Sequence, residues 1–215
     1  EMLRSLVGSE MCIRDSYLPL LRNRRLMVVT GALSLEVFAT AIADVAFVFL
    51  VMVTLGSGPT AFGVLTALWA GGMLLGAVLA ERAIGHRIGL AAFGSAAVMG
   101  ATMLLIGLAP IGLAIVAVAF ILGGGANSIH NVAVRTLLQS ESPPADHGKV
   151  AAIYGAVTRI AVIGGYVAGG FFVPNTAPTA YVVGGLLGVG AGIVGWRIFN
   201  GRWFSAPVAS ANSRK

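Results

Sequence analysis

Charge is scarce in this chain. Only 10 % of its 215 residues are Asp, Glu, Lys or Arg, where soluble domains carry about 25 %. The 14 basic and 8 acidic side chains are too few to solvate the surface of a globule this size, which excludes an ordinary soluble domain. Cysteine is nearly absent. Cys12 is the sole one, so no intramolecular disulfide and no cysteine metal site can form. The three histidines, His86, His130 and His147, are isolated from one another, and no metal centre is expected. Basic patches are missing too. The net charge of +6 is spread singly between apolar runs, so nucleic acid is not an expected partner.

Sequence signatures of enzymes are also lacking. Gly188-x-Gly190-x-Gly192 lies within an apolar run rather than in a strand–turn–helix unit, so it reads as packing and not as a nucleotide loop. An intramembrane serine protease would need a G-x-S-G nucleophile and a helix-borne histidine several spans later. Ser128 stands in A-N-S-I and the last apolar run holds no histidine. No enzymatic activity is expected.

What the chain does have is long apolar runs. Hydrophobic residues make up 57 % of it and glycine 30 positions, as in a helical membrane protein. The runs are 27–55, 60–80, 90–108, 111–129, 150–173 and 179–196. Each is about 18 residues or longer, enough to cross a ~30 Å hydrocarbon core as a helix. They are apolar all round and do not alternate, which excludes surface helices and barrel strands. The expected fold is therefore an all-α membrane protein of six transmembrane helices spanning 17–200, with 201–215 as a cytoplasmic tail. Residues 1–16, EMLRSLVGSEMCIRDS, match nothing that follows and lack the apolar core of a signal peptide. They resemble spurious leader sequence ahead of unrelated fragments and read as non-native; the alternative is a disordered or interfacial tail.

Charge also gives an expected topology. Arg22, Arg24 and Arg25 precede the first run, Arg82 and Arg87 follow the second, and Arg135 and Lys149 follow the fourth. Arg197, Arg202, Arg214 and Lys215 follow the sixth, while GSGPT, the turn at Pro110 and PNTAPT carry none. Basic residues on alternate connections place both termini in the cytoplasm by the positive-inside rule. Gly72, Gly76 and Ala80, Gly165 and Gly169, and Gly184, Gly188 and Gly192 form small-residue stripes that let helices approach closely. Some of them could alternatively form sliding or hinge surfaces.

Glu36, Asp44 and Arg159 are the charges that fall well inside a run. A charge at that depth costs at least ~2.5–3.5 kcal/mol and usually faces a polar cavity or a partner. Glu36 and Asp44 are about 80° apart around one helix, so one cavity-facing sector can hold both. A carboxylate can take up a proton, which makes Asp44 and Glu36 candidates for proton coupling. The alternative is a static buried ion pair between Glu36 and Arg159. Arg159 reads equally as a charge partner or as an anion or substrate contact. In GGGANSIHN, Asn127 and Asn131 share a face with Gly123 and either line a substrate cavity or bond to neighbouring helices. His130 beside them reads as an interfacial histidine.

The stretch HNVAVRTLLQSESPPADHGKVAAIYGA reads as a helix continuing to Gln139, a Pro143-Pro144 break, and a new helix after Gly148-Lys149. This N-x-x-x-R-T-x-x-Q pattern followed by P and G-[RK]-[VI] resembles the second half of major facilitator superfamily exporters. It is most similar to the siderophore-exporter and macrolide-efflux-like branch. The resemblance covers roughly 22–200, with 123–170 its most specific part. Asp44 also looks like the acidic residue near the start of that half. The family's cytoplasmic loop, D-R-x-G-R-R, is represented by His86, Arg87 and Gly89, but the acid and the trailing basic pair are missing, which puts gating contacts there in doubt.

The resemblance implies one half of a twelve-helix major facilitator fold, built as two inverted three-helix repeats. The first and fourth helices would line a central cavity, the second and fifth would face the missing N-terminal six-helix half, and the third and sixth would be peripheral. The implied activity is secondary active, proton-coupled export of a small molecule, drug or siderophore-like, across the bacterial cytoplasmic (inner) membrane. The proton gradient would be the driving force, with no cofactor. The alternative is a stand-alone six-helix permease subunit acting as a dimer or with a separate energising partner.

Overall fold

A computed structural model describes residues 23–85, 87–108, 112–172 and 174–200. The expected leader 1–16, the tail 201–215 and His86 of the loop motif lie outside the described residues. Helix α1 spans Arg24–Phe49 and continues as a π-helical turn, Leu50–Thr54. Then come α2 Pro59–Ile84, α3 Ile88–Leu108, α4 Leu113–Ser140, α5 His147–Gly169 and α6 Ala177–Asn200. There is no strand among the described residues. Among the described residues, six helices are long and apolar enough to cross a membrane, and the chain is accordingly an integral membrane protein.

The breaks between helices follow from local chemistry. After the π turn, Gly56 takes φ 56°, a conformation costly for any residue with a Cβ. Pro59 then starts α2, where its missing N–H is not needed. Gly85 ends α2 at φ 26°. Pro143 is extended, and Pro144–Asp146 form a short 3-10 turn that leads into α5. The fourth helix runs past its apolar run, which ends at 129, to Ser140, close to the helix end read at Gln139.

The helices pack side by side in the order α5, α1, α6, α3, α4, α2. Gly72 and Gly76 of α2 lie against the backbone carbonyls of Ile121 and Gly125 of α4, so these two helices run parallel. Gly165 and Gly169 of α5 meet Phe38 and Ile42 of α1, another parallel pair. Gly100 and Gly107 of α3 meet Gly185 and Pro178 of α6, in antiparallel sense. All three expected glycine stripes thus sit where helix backbones touch. In lipid such close approach, with its dispersion contacts, replaces the hydrophobic drive available in water. At the row's ends, only 17 % of the apolar window of α2 and of α5 is buried, against 50 % for α3.

Local contacts fix which connections share an end. Asn23, at the start of α1, donates to the Glu141 carbonyl after α4 at 3.2 Å. Gly89, at the start of α3, is buried against the Phe199 ring near the end of α6. The arginine- and lysine-bearing segments therefore gather at one end of the bundle. At the other end the π turn of α1 packs near Pro174–Thr176.

Candidate functional site

Two apolar clusters fill the bundle, one around Leu33, Phe93 and Leu137, the other around Leu50, Phe120 and Tyr181. Between them, near the middle of the spans, lies a band of polar side chains. Glu36 of α1 is 3 % exposed, and its Oε2 stands 3.4 Å from Nε2 of His130 of α4. Thr40, one turn along α1, donates its hydroxyl to Glu36 Oε1 at 3.0 Å. His130 Nδ1 lies 3.1 Å from the Ala92 carbonyl of α3 and 3.4 Å from Ser95 Oγ.

These contacts fix one proton of the imidazole. A carbonyl only accepts, so Nδ1 of His130 carries its hydrogen. Ser95 directs its own hydroxyl at the Ala91 and Ala92 carbonyls, at 2.6 and 3.0 Å. The Glu36–His130 contact is at ion-pair distance without hydrogen-bond alignment, since Nε2 has no aligned partner.

Taking the fourth run to end at 129 put His130 at the membrane interface; the structure buries it between α1, α3 and α4. Because α4 continues ten residues to Ser140, His130 sits about 15 Å from the helix end, at the depth of Glu36. The continuation to Gln139 was legible, and carrying it into the depth estimate is the signal that finds this residue. The alternative, an ion pair between Glu36 and Arg159, is not formed: Glu36 turns inward to His130, while Arg159 is exposed on another groove.

Asp44 does not share a cavity with Glu36. Glu36 turns inward between α1, α3 and α4, while Asp44 is exposed on the wall of a cavity of about 330 Å³. Thr40, Asp44 and Phe47 of α1, Phe62 and Trp69 of α2, Thr102 of α3, Phe120 of α4 and Tyr181 of α6 form its walls. Phe47 stacks on Phe62 with centroids 4.5 Å apart and lies 4.8 Å from Phe120; Trp69 meets Phe120 edge-on at 5.8 Å. Asp44 has no ion-pair or hydrogen-bond partner among the described residues.

Arg159 lies elsewhere. With Arg135, Gln139, Tyr154, Thr158 and Asn131 it lines a second groove of about 540 Å³ between α4, α5 and α1. Arg159 is exposed there. Asn131 donates to Asn127 Oδ1 at 3.0 Å and to the Asn127 carbonyl at 2.9 Å. Asn131 therefore faces the groove while Asn127 is spent on its neighbour. Gly123 packs against the Trp69 ring and Thr102. Arg87 is exposed just before α3. Among the described residues, no three His, Cys, Asp or Glu side chains converge as metal ligands would. No family model, no curated protein and no solved structure matches this chain.

Proposed function

We propose that this chain is the six-helix half of a proton-coupled secondary transporter of the major facilitator kind, exporting a small organic molecule. The observation that carries the proposal is the buried Glu36–His130 pair, two ionisable side chains 3.4 Å apart near the middle of the bundle between two cavities. Thr40 connects it to one side, since its side chain both lines the Asp44 cavity and donates to Glu36. Asn131, next to His130, lines the groove on the other side. An ionisable pair kept at that depth is costly unless used or satisfied, and one flanked by cavities is placed to exchange its proton with either.

The packing order supports the architecture. Exchanging each helix for the one three places later turns the row α5, α1, α6, α3, α4, α2 into its own reverse. Three helices cross an odd number of times, so two such units have opposite orientations, as in inverted repeats. The bare apolar faces of α2 and α5, carrying Leu74, Val78, Ile160 and Ile163, are where the resemblance puts the other six helices. Both termini are then cytoplasmic and the membrane a bacterial inner membrane.

The test is efflux of a panel of drug-like dyes, driven by an imposed pH gradient, from vesicles holding the complete transporter. Glu36→Gln and His130→Gln should each abolish the response to the gradient while leaving downhill flux. Full gradient-driven efflux by both variants removes the pair as the coupling site.

A further inference from the structure

The walls of the Asp44 cavity offer almost nothing but acceptors. Thr40 gives its hydroxyl proton to Glu36, Thr66 to the Phe62 carbonyl at 2.9 Å, and Thr102 to the Met99 carbonyl at 2.7 Å. The remaining donors are the Tyr181 hydroxyl and the Trp69 indole N–H. No basic side chain lines the cavity. Its single ionisable group that is charged at neutral pH is the unpartnered Asp44 carboxylate, and five aromatic side chains line the same space. An anion would find no cation there and few donors. A neutral ligand would leave the carboxylate uncompensated.

We propose that this cavity binds a lipophilic organic cation, a protonated or quaternary amine bearing aromatic or branched apolar groups, with Asp44 as its counter-ion. The positive centre sits against the negative faces of Trp69, Phe47 and Phe120, where cation–π attraction adds to the charge pair. Apolar substituents occupy the space walled by Met99, Met103 and Ile106. The volume, about 330 Å³, is at the small end of ligand pockets. That these cations are the exported substrate rests on the transport proposal; the binding site itself does not. The chemistry selects against the anionic, chelating compounds that a siderophore exporter would carry.

The experiment compares two ions of nearly equal shape and opposite charge, tetraphenylphosphonium and tetraphenylborate, by equilibrium binding to the 215-residue chain in lipid nanodiscs. Empty nanodiscs correct for partition into lipid. The phosphonium should bind saturably and the borate should not, a comparison that needs no variant. Asp44→Asn should weaken phosphonium binding by about tenfold or more, and Trp69→Leu by several-fold. Asp146→Asn, at the surface beside Lys149, should leave it unchanged. Equal saturable binding of the two ions, or full phosphonium affinity in Asp44→Asn, overturns the site. Selective binding that depends on Asp44, without gradient-driven phosphonium flux by the complete transporter, upholds the site and removes the transport proposal.

Discussion

Glu36 and His130 meet at 3.4 Å although their helices are not neighbours in the packed row. Between α1 and α4 stand α6 and α3, so the row must curl for the two side chains to touch. The contact ties the first three-helix unit to the second across that curve. Ala92 and Ser95 of α3 hold the imidazole in place, and Thr40 holds the carboxylate. A shift in the curl would part the pair, because a contact at this distance without alignment has little geometry to lose.

Removing one member should leave the other buried and unsatisfied. His130→Ala and Glu36→Ala should each destabilise the protein by about 1–3 kcal/mol, the usual cost of an orphaned buried polar group. The double variant should cost less than the sum of the two. Reversible unfolding in mixed micelles measures all three. Strict additivity would mean the two side chains do not interact.

Adjacent glycines in α2 should respond oppositely to one methyl group. A Cβ on Gly72 would land on the Ile121 carbonyl, while one on Gly71 meets nothing within 4 Å. Gly72→Ala should therefore push α2 from α4 at a cost of about 1–3 kcal/mol. Gly71→Ala should be neutral or stabilising by up to about 1 kcal/mol, through lower chain entropy in the unfolded state. Thermal melts followed by size-exclusion chromatography would separate them. Equal melting temperatures would show that the α2–α4 approach is looser than described.

Arg159 carries no structural load in this arrangement. It is exposed on the groove and pairs with neither Glu36 nor Asp44, so Arg159→Ala should change stability by no more than about 0.5 kcal/mol. The same unfolding assay decides it. A loss as large as that of His130→Ala would restore Arg159 as the carboxylate's partner.

The fold was legible because lipid simplifies the code. Run length set the helices, and Gly72, Gly76, Gly165, Gly169, Gly184, Gly188 and Gly192 marked the helix contacts before any neighbour was known. Glycine at bilayer depth has few other uses, so its spacing speaks directly. The site was legible in its residue types and not in its pairings. Glu36 and Asp44 stood out because charge inside an apolar run is costly. Their surroundings depended on rotation about α1, and the angular separation of about 80° allowed one shared cavity or two separate environments. Only the packing of α3 and α4 against α1 decided for the second. His130 was missed because an apolar run was equated with the span, whereas α4 carries polar residues a further ten positions.

The distribution of charge between the two ends makes one last prediction. Asn23, Glu141, Gly89 and Phe199 bring the arginine- and lysine-bearing segments to one end, and Pro174–Thr176 lies by the π turn of α1 at the other. Positively charged short connections are held back from translocation, so the first end should be cytoplasmic. In a Cys12→Ser background, Ser57→Cys and Asn175→Cys should react with a membrane-impermeant maleimide in intact cells. Arg87→Cys and Lys149→Cys should react only after permeabilisation. Each of these last two removes one positive charge from its connection, but other basic residues remain at that end, Arg82 and Arg135 among them. Topology should therefore survive either change alone. Labelling of Arg87→Cys in intact cells, with Ser57→Cys silent, would invert the molecule and place the Asp44 cavity at the cytoplasmic end.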